Sequence, residues 1–111
     1  MTNWHTERIR NLLSVITHPS RVAILEFLSD RDFGTNKSLR QHLKSIQPQT
    51  GGNSPAVVTH HVSLLEKNGL VKHSEEDARV IVATVMGRRI TRMLRQMVSD
   101  SDLDESWDRS L

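Results

Sequence analysis

Six histidines, thirteen carboxylates and no cysteine are the side chains with which this 111-residue chain could do chemistry, and their spacing supports little catalysis. Without sulfur, disulfide frameworks, thiolate metal sites and cysteine nucleophiles are excluded. His5, His18, His42 and His73 are loose candidates for metal or pH sensing, but no ligand spacing links them. His60 and His61 are adjacent. Neighbouring helical residues point about 100° apart, so such a pair rarely holds one ion. No nucleophile with its base, no carboxylate pair and no metal cluster can be assembled, so neither an enzyme nor a cofactor is expected.

Recognition of a polyanion remains. Residues 1 to 98 carry fourteen Lys and Arg against eight Asp and Glu, whereas residues 99 to 111 carry one against five. A basic body suits a polyanionic partner such as DNA, because phosphate contacts by Lys and Arg supply most of the sequence-independent affinity. The acidic end, Ser99 to Leu111, is expected to be a flexible or loosely docked tail that Trp107 tethers. Residues 1 to 98 then form one compact domain. The longest apolar runs, such as Ala23-Ile24-Leu25, are too short for a membrane span or a signal-peptide core. A soluble, cytoplasmic protein is expected.

The elements that must position these charges follow from periodicity. Ile9, Leu12, Leu13 and Ile16 share one helical face, which predicts a first helix over residues 4 to 16. Pro19 suits the first position of a second helix reaching about Ser29. Thr35 or Asn36 caps a third helix with Leu39, Leu43 and Ile46 on one side and Lys37, Arg40 and Lys44 on its polar side. The breakers of Gln47 to Asn53 form a loop, after which Ser54-Pro55 opens a fourth helix that Asn68-Gly69 ends. Val58, His61, Val62 and Leu65 lie on one face of that helix. Residues 70 to 74 and 79 to 85 are rich in β-branched types and predict a β-hairpin. A fifth helix runs from Gly87 to about Asp100 with Ile90, Met93, Leu94, Met97 and Val98 at helical spacing. The fold class is mainly α with a small β-hairpin, in the order α-α-α-α-β-β-α.

Two segments resemble a known family. His18-Pro-Ser-Arg-Val-Ala-Ile-Leu-Glu-Phe-Leu28 is similar to the opening of the second helix of ArsR-type winged helix-turn-helix regulators. Thr59-His-His-Val-Ser-Leu-Leu-Glu-Lys-Asn-Gly-Leu-Val71 is similar to their recognition helix running into the wing. The resemblance covers roughly residues 8 to 98. It implies a dimeric transcriptional repressor that binds a palindromic operator in double-stranded DNA through the fourth helix. The loop of residues 47 to 53 is longer than the usual turn of this motif. The cysteine pairs with which many members bind thiophilic metals are absent, so metal sensing does not carry over.

The resemblance also assigns roles. Thr59 and His60 lie where the family places its base-facing pair, and Ser54, Ala56 and Ser63 share their exposed face. The fourth helix carries only one basic residue, Lys67, so Lys37, Arg40 and Lys44 of the third helix and Lys72 and Arg79 of the wing are the candidates for phosphate contacts, unless Arg79 pairs with Glu75, Glu76 or Asp77. Three carboxylates at that tip would repel phosphate. His61 is as well placed for a buried structural role as for DNA. The family's dimer interface lies on the first and fifth helices, here Ile9, Leu12, Leu13, Ile16, Ile90, Met93, Leu94 and Met97, unless these stripes belong to the chain's own core. A protein-docking module without specific DNA binding is the competing function.

Overall fold

The computed structural model describes residues 4–47 and 54–109, with side chains described for 5–47 and 54–100. Helix α1 spans Trp4–Ile16, α2 Pro19–Ser29, α3 Asn36–Ile46 and α4 Pro55–Lys67. Strands β1 (Val71–His73) and β2 (Ile81–Ala83) precede α5, Val85–Arg109. Most of the loop of residues 47 to 53 lies outside the described residues, as does the side chain of Trp107.

The starts of α2, α3 and α4 each have an identifiable cap. His18 caps α2 by accepting the Ser20 N–H on Nδ1 at 3.2 Å, with Pro19 in the first position, where its missing N–H costs nothing. Thr35 caps α3 in a reciprocal capping box with Ser38, so Asn36 becomes the first helical residue. Ser54 caps α4 by accepting from the Val57 N–H. At the other end of α4, Gly69 takes φ +76 and donates to Glu66 O, while Leu70 N–H donates to Leu65 O. These two bonds form a Schellman motif, which ends the helix and turns the chain into β1.

The antiparallel strands pair Val71 with Ala83, Lys72 with Val82 and His73 with Ile81. They are shorter than the apolar runs suggest, and within them Val71, Ile81 and Ala83 point into the core. A pair of backbone hydrogen bonds of 2.8 Å between Gly34 and Ile81 ties β2 to the chain just before α3. The hairpin is thus anchored to the helices it flanks. Ile24, Leu25 and Leu28 of α2, Leu39 and Leu43 of α3, Val58 and Leu65 of α4, and Leu70 form a fully buried centre. Burying side chains of this size stabilises by roughly 1.5–3 kcal/mol each before chain entropy is counted.

Helix α5 departs from expectation at both ends. It begins at Val85 rather than Gly87, because the Thr84 hydroxyl accepts the Gly87 N–H at 3.1 Å and the Arg88 N–H meets Thr84 O, so Thr84 acts as the cap. It continues to Arg109 rather than stopping near Asp100. Residues 99 to 109 are polar and acidic but contain neither Gly nor Pro, so nothing in the covalent chain forces a stop.

Candidate nucleic-acid interface

The first half of α4 is held by α3. Asn36, at the start of α3, donates through Nδ2 to Pro55 O at 3.2 Å and to Thr59 Oγ1 at 3.0 Å, and the Thr59 hydroxyl itself donates to Pro55 O at 2.8 Å. The two helix N-termini are therefore locked in a fixed relation. Beyond them lies a groove of about 460 Å³. Lys37, Thr59 and Ser63 line one side of it, and Asp77 and Arg79 of the hairpin loop line the other. Four of the residues expected to meet DNA, Lys37, Thr59, Ser63 and Arg79, thus converge on one opening.

Ser54, Ala56 and His60 are exposed on α4 beside this groove without lining it. On α3, Lys44 is exposed and Arg40 half-buried, and neither lines the groove. Among the described residues the buried Arg40 Nε has no hydrogen-bond partner.

Arg79 is paired at its own loop. Its Nε and terminal nitrogen donate to the two Asp77 carboxylate oxygens at 3.2 and 3.1 Å, and its backbone N–H adds a third bond at 2.9 Å. These bonds, the guanidinium's first, hold the Asp77 carboxyl below the usual carboxylate range, and Asp77 in turn raises the Arg79 pKa. Of the three acidic residues weighed as partners, Asp77 takes the arginine. The pair is solvent-exposed, so a competing phosphate meets a weak opponent.

His61 turns inward. It is buried, accepts from Arg21 Nε on Nδ1 at 3.2 Å, and lies 4.6 Å from the His18 ring, centroid to centroid. Burial, then the charges of His18, Arg21 and His60, push its pKa down to about 4. A neutral acceptor is what the Arg21 bond needs, so His61 joins α2 to α4 as a structural residue. Sequence reasoning did not find Arg21 or the bridging role of Asn36. Their partners lie 40 and 23 residues away, beyond any local pattern.

The residues expected at a dimer interface divide into three groups. Ile90 belongs to the core, and Leu12, Ile16 and Leu94 pack half-buried against it. Ile9, Leu13, Met93 and Met97 are each more than half exposed. Val15, absent from the predicted stripe, carries α1 into the core instead. Among the described residues no helix is long and apolar enough to cross a membrane, and no three His, Asp or Glu side chains group as a metal site.

Two solved structures share this arrangement, both of ZitR from Lactococcus lactis. A double mutant in the apo form matches with TM-score 0.59 and 17% identity, covering all of this chain and 85% of that one. A single mutant matches with TM-score 0.55 and 22% identity over 82% of this chain, which spans 60% of the length of that one. The fold is a winged helix-turn-helix. Within it α3 and α4 are the helix-turn-helix pair, β1 and β2 the wing, and the groove is the space between α4 and the wing. No protein-family model matches the chain, and no curated protein matches it.

Proposed function

We propose that this protein is a transcriptional regulator of ArsR type that binds double-stranded DNA in a sequence-specific manner. It acts as a homodimeric repressor in the cytoplasm, reading a palindromic operator through α4. The observation that carries this reading is the exposed face of α4 and its cap, with Ser54, Ala56, Thr59, His60 and Ser63 outward and Lys37 and Arg79 nearby. An α-helix fits the major groove, where short polar and methyl-bearing side chains reach base edges while flanking cations meet phosphate. Lys37, Arg40, Lys44 and Arg79 supply those cations. The exposed Ile9, Leu13, Met93 and Met97 mark the surface through which α1 and α5 pair with a second copy, which sets two α4 helices about one DNA turn apart.

A protein-docking module is the second reading, favoured by the exposed Glu75 and Glu76 and by the commitment of Arg79 to Asp77. Selection from a pool of randomised duplexes separates the two. Enrichment of a twofold-symmetric site with half-sites roughly 34 Å apart supports the regulator. Failure to enrich any duplex supports docking.

A further inference from the structure

The hydrogen bonds around Thr59 decide what α4 offers to a base. A threonine hydroxyl has one donor and two acceptor positions. Here the O–H is committed to Pro55 O, four residues back, and one acceptor position is filled by Asn36 Nδ2. Pro55 O can only accept, so the Asn36 amide must face it with its nitrogen, and that fixes which end of the amide meets Thr59. Thr59 therefore has no proton left to donate to a base edge. The other branch of its Cβ, the γ-methyl, carries none of these ties. Ala56 lies three residues earlier on the same exposed surface and offers only a methyl.

The geometry points to a methyl-reading surface: Ala56 and Thr59 recognise the 5-methyl groups of thymine in the major groove, while Pro55 O and Asn36 Nδ2 occupy the Thr59 hydroxyl. Thymine is the one base that presents a methyl there, and Ala and Thr methyls are suited to meet it. The inference rests on the DNA-binding function proposed above and adds to it a base class for the centre of the α4 contact. His60 and Ser63, on the flanks, retain their hydrogen-bonding groups for other bases.

The test replaces each thymine of the selected duplex, one at a time, by deoxyuridine, which differs only by the missing methyl. Binding is followed by fluorescence anisotropy. At one or two thymines per half-site the wild-type protein is expected to bind about fourfold more weakly, the effect of one buried methyl-sized group. Thr59→Val, which keeps a methyl and loses the hydroxyl, retains this sensitivity. Thr59→Ser, which keeps the hydroxyl and loses the methyl, loses it at one position, and Ala56→Gly loses it at the other. Circular-dichroism melts confirm that each variant is folded. Because a change in DNA shape on loss of a methyl would act on wild type and Thr59→Ser alike, sensitivity preserved in Thr59→Ser overturns the inference. Indifference to uridine at every position, or a half-site without thymine, also overturns it while leaving DNA binding intact. Absence of binding to any duplex overturns the DNA-binding function and the inference together.

Discussion

Replacing Gly87 by alanine places a carbon in front of a carbonyl that has little room to retreat. A Cβ at this position of α5 would lie 2.0 Å from Leu70 O and 3.0 Å from Leu70 C. An ordinary carbon–oxygen contact begins near 3.3 Å, so helix and strand must part by about 1.3 Å. Leu70 is fully buried, and its carbonyl accepts the Thr84 N–H at 3.1 Å, so separation disturbs the core and the root of the wing together. Overpacking costs roughly 1–3 kcal/mol and a weakened hydrogen bond about 1 kcal/mol, offset by up to about 1 kcal/mol from alanine's better helix propensity. The expected net loss is about 1–4 kcal/mol, or a fall of about 5–20 °C in Tm for a chain of this size.

Gly69→Ala is the control. Its added Cβ meets nothing within 4 Å, but φ is +76, so the cost is the left-handed strain alone, about 1–2 kcal/mol. Thermal unfolding followed by circular dichroism should rank wild type above Gly69→Ala and Gly69→Ala above Gly87→Ala. A Gly87→Ala protein melting within 3 °C of wild type, roughly a few tenths of a kcal/mol, would refute the close approach of α5 to the wing root.

Two further predictions concern the core and the exposed apolar face. His61 has a folded-state pKa near 4, below its unfolded value of about 6.5, so protonation favours the unfolded chain. Stability from this residue is complete above pH 6.5 and is lost as pH falls from 6.5 towards 4, by at most about 1.4 kcal/mol per pH unit. Melts at pH 7 and pH 4.5 should show a smaller acid-induced drop in Tm for His61→Gln, which keeps an acceptor for Arg21 but does not titrate. An equal drop in both proteins would contradict the assignment. Met93→Glu combined with Met97→Glu changes only exposed positions and should shift sedimentation from dimer to monomer with little change in Tm. A wild-type protein that sediments as a monomer would contradict the proposed dimer, and a variant that sediments like a dimeric wild type would contradict this placement of its surface.

Much of the fold was legible because its stops and starts are local chemistry. Pro19, Ser54-Pro55 and Asn68-Gly69 set the ends of α2 and α4 through their own backbone preferences. Thr84 was not legible as a cap, since it closes a run of β-branched residues and acts through Gly69 O and the Gly87 N–H together. The contacts of two α5 arginines were not legible either. Arg95 grips Asp30 with two bonds and reaches Glu26, and Arg88 donates to Ser29 O at the end of α2, contacts made across 59 to 69 residues of sequence. The outward set on α4 was readable from helical spacing. That Asn36 commits the Thr59 hydroxyl was not, because it depends on how α3 and α4 cross.

The central claim is that α4 reads a DNA site. The most direct measurement is fluorescence anisotropy of a labelled duplex from the gene's own upstream region against a scrambled duplex, each at two salt concentrations, for wild type and Thr59→Ala/His60→Ala. The account predicts tighter, salt-dependent binding of the upstream duplex by wild type, with the preference lost in the double variant while weak, salt-dependent binding to both duplexes persists. Absence of binding by wild type at either salt concentration, or a preference that survives the double substitution, would contradict it.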